Sequence, residues 1–321
     1  MSYQPAAKDH PREWSVSGYA ELNNVAVAGL SIKGISGTVV GSGALVDRLG
    51  GTTLAGQLAI ATAEAWGHQL RWAEGQWSFA RAASGEGVAA LRSIRGDLHE
   101  GALAGSVGIW FEPTQTRYDL SATVRDMQIQ PFAQADHAAR FSDSDPAELS
   151  GRADGHLYLS AIVGEPLSRR GGGRIEIVDA EMFQLPILLA ILNVLNLSVP
   201  DDNAFTSAEA EFLIAGNRVQ FENIHLRGNV LALVGSGSMS LPDRGLDLGL
   251  VHVNPRRWAR VPLLSDLIDE ASRELVELHV TGPLSQPTVR ARPFRGVTDE
   301  FKRLFRSRKP KKTATVQSRQ P

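Results

Sequence analysis

Cysteine is absent from the 321 residues, which removes disulfides, thiolate nucleophiles and zinc–thiolate sites together. A cysteine-free chain suits an oxidising compartment. Long hydrophobic runs are missing as well. The longest, 185–197, falls short of the ~20 residues that a spanning helix needs. The opening residues, MSYQPAAKDHPREW, are polar and hold no apolar stretch of the signal-peptide kind. The expectation is a soluble or peripheral chain whose anchor belongs to a longer parent or to a neighbouring chain. Neither sign of charge dominates: 33 Lys and Arg against 35 Asp and Glu leave a net charge of -2. A general nucleic-acid binder would carry a basic surface over a whole domain.

Catalytic and metal motifs are lacking too. The eight histidines are scattered, and His99-Glu100 begins an HExxH motif that goes no further. No G-x-S-x-G elbow exists. GSGALV from Gly41 and GSGSMS from Gly235 do not complete a dinucleotide fingerprint, and in strand context such glycines mark bends or close packing. Asp136, Asp143, Asp145 and Glu148 lack the order of a calcium loop. They read better as a helix start, with Asp145 as cap, Pro146 at the first position and Glu148 at the third. No metal, no cofactor and no enzymatic activity are expected.

What is present is glycine and alternation. Hydrophobic residues make up 43% and charged ones 21%, which fits a folded chain rather than a disordered one. The 31 glycines lie in large part inside strand-like runs. Between 210 and 253 the hairpins can be read directly. Phe212 and Ile214 alternate with Glu211 and Leu213, Gly216-Asn217 makes a two-residue turn of the II′ kind, and Val219 and Phe221 follow. That register sets Ile214 against Val219 and Phe212 against Phe221, all on one face. Gly228-Asn229 is predicted to repeat the device, pairing Leu226 with Leu231 and Ile224 with Leu233. The LPDRG turn is predicted to pair Leu241 with Leu246, Met239 with Leu248 and Gly237 with Leu250. Phe221 and Ile224 differ in parity, so a β-bulge is predicted near Glu222-Asn223; it also relieves Glu211 facing Glu222. The other face reads Gln220, His225, Arg227, Ser236, Ser238, Ser240 and Asp247, largely water-facing.

Toward the N-terminus, Tyr118, Leu120, Ala122 and Val124 alternate with polar residues as in a half-buried strand. Glu74-Gly75 is predicted to turn, setting Trp72 against Trp77 and Leu70 against Phe79. Leu157, Leu159, Ile175 and Ile177 continue the pattern across a predicted RRGGGR turn. A faint echo links RGDLHEGALAGSVGIWF with RGNVLALVGSGSMSL, without a fixed period. Helices are predicted at 185–197, apolar nearly all round and therefore buried on every side or dipped into lipid, and at 262–276, amphipathic. A third is predicted from Pro131 to Arg140.

The fold class that follows is mainly β: a long, strongly curved antiparallel sheet forming an open groove, with two or three short helices. Its apolar face would exceed the few hundred Å² that a soluble monomer exposes, so something covers it. A second sheet, the two apolar helices and acyl chains lying in the trough are the three options. The residues assigned to that face are Phe212, Ile214, Val219, Phe221, Ile224, Leu226, Leu231, Leu233, Met239, Leu241, Leu246 and Leu248.

The stretches LSGRADGHLYLSAIVG, GGGRIEIVDAEMFQLPILLAILNVLNLSVPDDNAFTSAEAEFLIAGNRVQFENIHLRGNVLALVGSGSMSLPDRGLDLGL, PLLSDLID and LHVTGPLSQPTVRARPF, in that order, resemble the C-terminal region of AsmA-like proteins, bacterial envelope proteins related to TamB. The resemblance covers 149–294, leaving 1–148 as an N-terminal β-rich portion of the sheet and 295–321 as a basic, partly disordered tail. It implies an inner-membrane-anchored protein in the periplasm whose sheet carries phospholipid towards the outer membrane. The chain departs from the family in lacking the anchor and in being short, so a C-terminal module fits better than a full conduit.

Two basic segments point to a membrane surface. Arg256 and Arg257 flank Trp258 in NPRRWARVP, a composition suited to headgroups meeting acyl chains or to a solvated loop. In the tail, Phe301 and Phe305 fall at helical spacing among Lys302, Arg303 and Arg306, as in a short basic amphipathic helix or a solubilising tail. The partners expected are therefore phospholipid or another acyl-chain ligand, a membrane surface and other envelope proteins. The rival reading is a structural or assembly scaffold with a closed β-sandwich core and a protein partner.

Overall fold

Period-two alternation runs through most of the chain, and backbone extended on that period must find hydrogen-bond partners on both sides. The computed structural model describes residues 12–27, 30–46, 51–65, 68–82, 84–131, 150–181, 186–195, 206–228, 231–253 and 276–293. Within them the partners are always the preceding and the following strand. The strands are β1 (Arg12–Val27), β2 (Leu30–Val46), β3 (Gly51–Ala65), β4 (His68–Arg81), β5 (Gly87–Leu98), β6 (Gly101–Phe111), β7 (Thr116–Gln128) and β8 (Ser150–Ile162). They continue as β9 (Glu165–Glu181), β10 (Ser207–Ala215), β11 (Arg218–Arg227), β12 (Ala232–Ser240), β13 (Gly245–Val253), β14 (Val276–Pro283) and β15 (Thr288–Pro293). Helix α1 (Pro186–Val194) interrupts them between β9 and β10. All fifteen strands form one antiparallel sheet in sequence order, from edge strand β1 to edge strand β15. The sheet is not closed into a barrel, and no second sheet packs on it among the described residues.

The β10–β11 hairpin is as predicted. Ile214 opposes Val219 and Phe212 opposes Phe221, and Gly216 takes the left-handed φ of +58° that a II′ turn demands at its first position. The bulge is also present, because Phe221 pairs with Gly237 whereas Ile224 pairs with Gly235. Glu211 consequently meets Asn223, whose Nδ2 donates to its carboxylate at 3.1 Å.

The next two hairpins are longer than predicted. Leu226 opposes Leu233, and Ile224 opposes Gly235. Met239 opposes Leu246, Gly237 opposes Leu248 and Gly235 opposes Leu250. Each pairing slips by two residues, an even number, so every side chain keeps its predicted face. Leu241 falls in the turn, its amide donating to the Asn217 carbonyl at 2.8 Å.

Two predicted turns are continuous strand. Glu74 and Gly75 lie inside β4, where Trp77 opposes Gly56 and Phe79 opposes Leu54. Trp72 takes a φ of +50° at a bulge and is 65% exposed. The RRGGGR segment lies inside β9, and the turn before it is Val163-Gly164. There Gly171 sits between Leu159 and Ile214, and Gly173 between Leu157 and Phe212. A Cβ on Gly173 would lie 2.9 Å from the Phe212 ring, so these glycines make room for large neighbours instead of turning the chain.

Helix α1 is shorter than predicted and is not buried all round. Leu188, Ile191 and Leu192 are buried, while Ile187, Leu189, Ala190 and Val194 are half-exposed. Its buried face packs with Leu231, Leu233, Leu246, Leu248, Leu250, Leu278 and Val280 into the main core. The polar face is not uniformly wet either, since Ser236 and Ser238 are buried beside Ala232, Val234, Val251 and Val253. The predicted helices at 262–276 and 131–140 and the 143–149 cap fall wholly or nearly so outside the described residues.

Candidate functional site: one apolar face across the sheet

Opposed residues in an antiparallel sheet point to the same side, so one face can be traced strand by strand. Val16 opposes Gly41, which opposes Gly56, which opposes Trp77, which opposes Leu91. Leu91 opposes Val107, then Leu120, Leu159, Gly171, Ile214, Val219, Met239 and Leu246 follow in turn. A second row runs through Ile94, Gly105, Ala122, Leu157, Gly173, Phe212, Phe221, Gly237, Leu248 and Val280. Neither row contains a charged or hydrogen-bonding side chain apart from the indole of Trp77. At ~4.8 Å per strand the path across the sheet is roughly 70 Å.

Keeping that face apolar takes more than alternation. Within several strands the apolar residues step by three rather than two: Leu70 to Ala73, Leu91 to Ile94, Val124 to Met127 and Phe221 to Ile224. At each step the register shifts by one residue. Trp72, Ser93 and Asp126, with φ of +50°, +52° and +57°, are the inserted residues in β4, β5 and β7. A bulge of this kind returns the following residues to the original side. Without it, half of each strand would turn its leucines to the polar face.

The size of the side chains is matched across strands. Gly41 and Gly56 are where the indole of Trp77 lies: a Cβ on Gly41 would be 2.4 Å from its Cζ2, and one on Gly56 would be 2.8 Å from its Nε1. That Nε1 is buried with no hydrogen-bond partner among the described residues. Phe79 meets Phe111 edge-on at 6.4 Å across the small Ala89–Gly87 stretch of β5, and Phe212 meets Phe221 in the same way.

The opposite face carries the charged residues, together with exposed Val40, Tyr158, Val178 and Leu213. Arg174 sits between Glu209 (3.0 Å) and Glu176 (3.5 Å), Arg152 pairs with Asp126 at 2.7 Å, and His279 meets Asp247 at 2.9 Å. These are exposed pairs and contribute little to stability each. Burial holds the His225 imidazole below its ordinary pKa, with Glu209 pulling it back up. On the apolar side His252, which opposes Leu233, is lowered for the same first reason, as is His99 in the β5–β6 turn. His68 and His99 approach at 3.2 Å, and no group of three or more metal-ligating side chains is present among the described residues.

Of the residues assigned to the apolar face from sequence, Phe212, Ile214, Val219, Phe221, Ile224, Leu226, Leu233, Met239, Leu246 and Leu248 share it. Leu231 joins the same core just before β12. Leu241 is in the turn. The face divides into two parts. Under α1, Leu231, Leu233, Leu278 and Val280 are fully buried, and Leu246 and Leu248 nearly so. From β3 to β11 the face is half-exposed: Leu54, Leu58, Trp77, Phe79, Leu91, Val107, Leu120, Leu157, Leu159 and Phe212 are all intermediate, and Ile175 is 37% exposed. Sequence reasoning missed the β3–β6 share of this surface, although the three-residue steps that reveal it are in the sequence. Arg256, Arg257, Trp258, Phe301, Lys302, Arg303, Phe305 and Arg306 lie outside the described residues. An open cavity of about 740 Å³ at the strand ends of β3 to β6, lined by Arg81, Glu86, Phe111 and Glu112 among others, mixes both charges and both faces. It does not continue the apolar rows.

No family model matches the chain, and no curated protein or solved structure matches it either. No helix among the described residues is long and apolar enough to cross a membrane, which says nothing of strands.

Proposed function

We propose that the chain is a non-enzymatic lipid-holding protein whose half-exposed apolar face, curved into a groove, takes the acyl chains of phospholipid and passes them along the sheet. The observation that carries this reading is the apolar and glycine lining that runs along the central rows from β3 to β11, opposite the face that carries the ion pairs. An apolar surface of that extent far exceeds the patch a soluble monomer tolerates. Acyl chains suit it because they are linear, need no hydrogen bonds and gain about 0.8 kcal/mol per methylene removed from water. A ligand with polar groups along its length would find no donor or acceptor on these rows. The resemblance of 149–294 to the AsmA-like C-terminal region supports the same reading, and with it a place in the bacterial envelope and a role in outer-membrane biogenesis.

The test is extraction. The chain is expressed in bacteria, purified without detergent and extracted with organic solvent, and the extract is measured by mass spectrometry alongside native mass spectrometry of the intact protein. Phospholipid at one or more molecules per chain is expected. A protein that emerges folded and lipid-free, and takes up none from vesicles, rejects the proposal and leaves the scaffold reading.

A further inference from the structure

The two edges of the sheet are built differently. β15 has six residues, ends at Pro293, follows Pro287 and carries Arg290 and Arg292. Proline, arginine and short length are the usual means of blocking strand addition. Its neighbourhood is also covered, since Val289 packs against the α1 core. β1 is less protected: Pro11 precedes it and its charges are Arg12, Glu13 and Glu21, but 14–20 and 22–27 hold neither charge nor proline. It runs for sixteen residues, REWSVSGYAELNNVAV, without proline or lysine. It pairs with β2 over its whole length without a bulge, and with nothing else among the described residues. Ser15, Ser17, Gly18, Tyr19 and Glu21 are exposed, and the apolar face reaches this edge at Val16, 44% exposed, with no helix over it among the described residues.

We propose that β1 is a dimerisation edge, pairing antiparallel with β1 of a second copy of this chain about a two-fold axis at Gly18. Only a register whose opposed residues sum to an even number keeps the two apolar faces on one side, because a one-residue slip flips them. Centred on Gly18, the pairing sets Ser17 against Tyr19, Val16 against Ala20 and Ser15 against Glu21, with no like charges opposed. Moving the axis to Ser17 would set Glu13 against Glu21. The interface is self-complementary, as a two-fold contact requires, and it joins two apolar faces into one of roughly 140 Å at ~4.8 Å per strand. Blocked β15 edges stop the pair from growing further.

The absence of cysteine makes the test clean. A Cβ at Gly18 meets nothing within 4 Å, so Gly18→Cys is accommodated, and its two copies would face each other across the axis. Sedimentation of the full chain is expected to give a dimer, and mild oxidation of Gly18→Cys a disulfide-linked one, with Thr38→Cys on neighbouring β2 giving none. Ser15→Lys, which meets Glu21 of the second copy twice, is expected to tighten the dimer about fivefold, and Ser15→Glu to loosen it by a similar factor. These readouts do not depend on bound lipid, so they separate from the extraction test. A monomer with no Gly18→Cys crosslink, a dimer crosslinked as well through Thr38→Cys, or Ser15 variants without opposite effects would overturn the proposal.

Discussion

The half-exposed face between β3 and β11 and the buried face under α1 are made of the same residues in the same geometry, yet only one is a core. Leu233 and Leu120 are both leucines in antiparallel strands, pointing to the same side of one sheet. The first is fully buried because Leu188, Ile191 and Leu192 of α1 close over its part of the sheet; the second keeps part of its surface open. Strand patterning therefore sets which side is apolar, and a separate nine-residue helix sets where that side is used for stability.

The comparison can be broken most forcefully by charge. Leu233→Lys buries an ammonium under α1 with no partner and is expected to prevent folding, seen as loss of the cooperative transition. Leu120→Lys, whose ammonium can reach water, is expected to fold and to lose most of the extractable lipid. If Leu120→Lys is as damaging to folding as Leu233→Lys, the open part is a core after all. Truncation gives the next largest contrast. Leu233→Ala should cost about 3 kcal/mol or more and Leu120→Ala about 1 kcal/mol, measured by urea unfolding of lipid-free protein.

Glycine substitution sharpens the account of the open part. Gly41→Val drives two methyls into the Trp77 indole, which a Cβ alone would already approach at 2.4 Å. A cost of about 1–3 kcal/mol and a shift in the tryptophan emission are expected. Acidification should give the smallest effect. His225, His252 and His99 are held below the ordinary value of 6.5 by burial. The unfolded chain therefore binds protons near pH 6.5 that the folded chain refuses. Stability is full above that pH and falls as pH drops below it, levelling once the folded pKa values are passed. The urea midpoint should be lower at pH 5.5 than at pH 7.5, and His252→Phe should shrink the difference.

How far the sequence reveals this architecture depends on which signal each element carries. Gly216-Asn217 specifies its hairpin because a two-residue turn leaves one register available. Gly228-Asn229 and LPDRG look like equally tight turns, but the chain continues two residues beyond each, and only the evenness of the slip preserves the faces. Gly75 and the RGGGR run mislead because glycine serves two purposes. The same residue that permits a turn also clears space for Trp77 or Phe212 on the next strand, and composition does not separate the two. The apolar face at β3–β6 is legible only through three-residue steps such as Leu91 to Ile94, which resemble broken strands until the bulge is supplied. That α1 covers the sheet's far end is not written in local sequence at all, since Ile191 shares its core with residues 40 to 89 positions further along the chain, from Leu231 to Val280.

Trp77 lies in the open part of the apolar face and Trp110 on the polar face, so quenching by lipids brominated on their acyl chains reports directly on where those chains lie. In variants retaining one of the six tryptophans, strong quenching of Trp77 and little of Trp110 is predicted. Equal quenching of both, or none of Trp77 in a protein that carries the brominated lipid, would contradict the account.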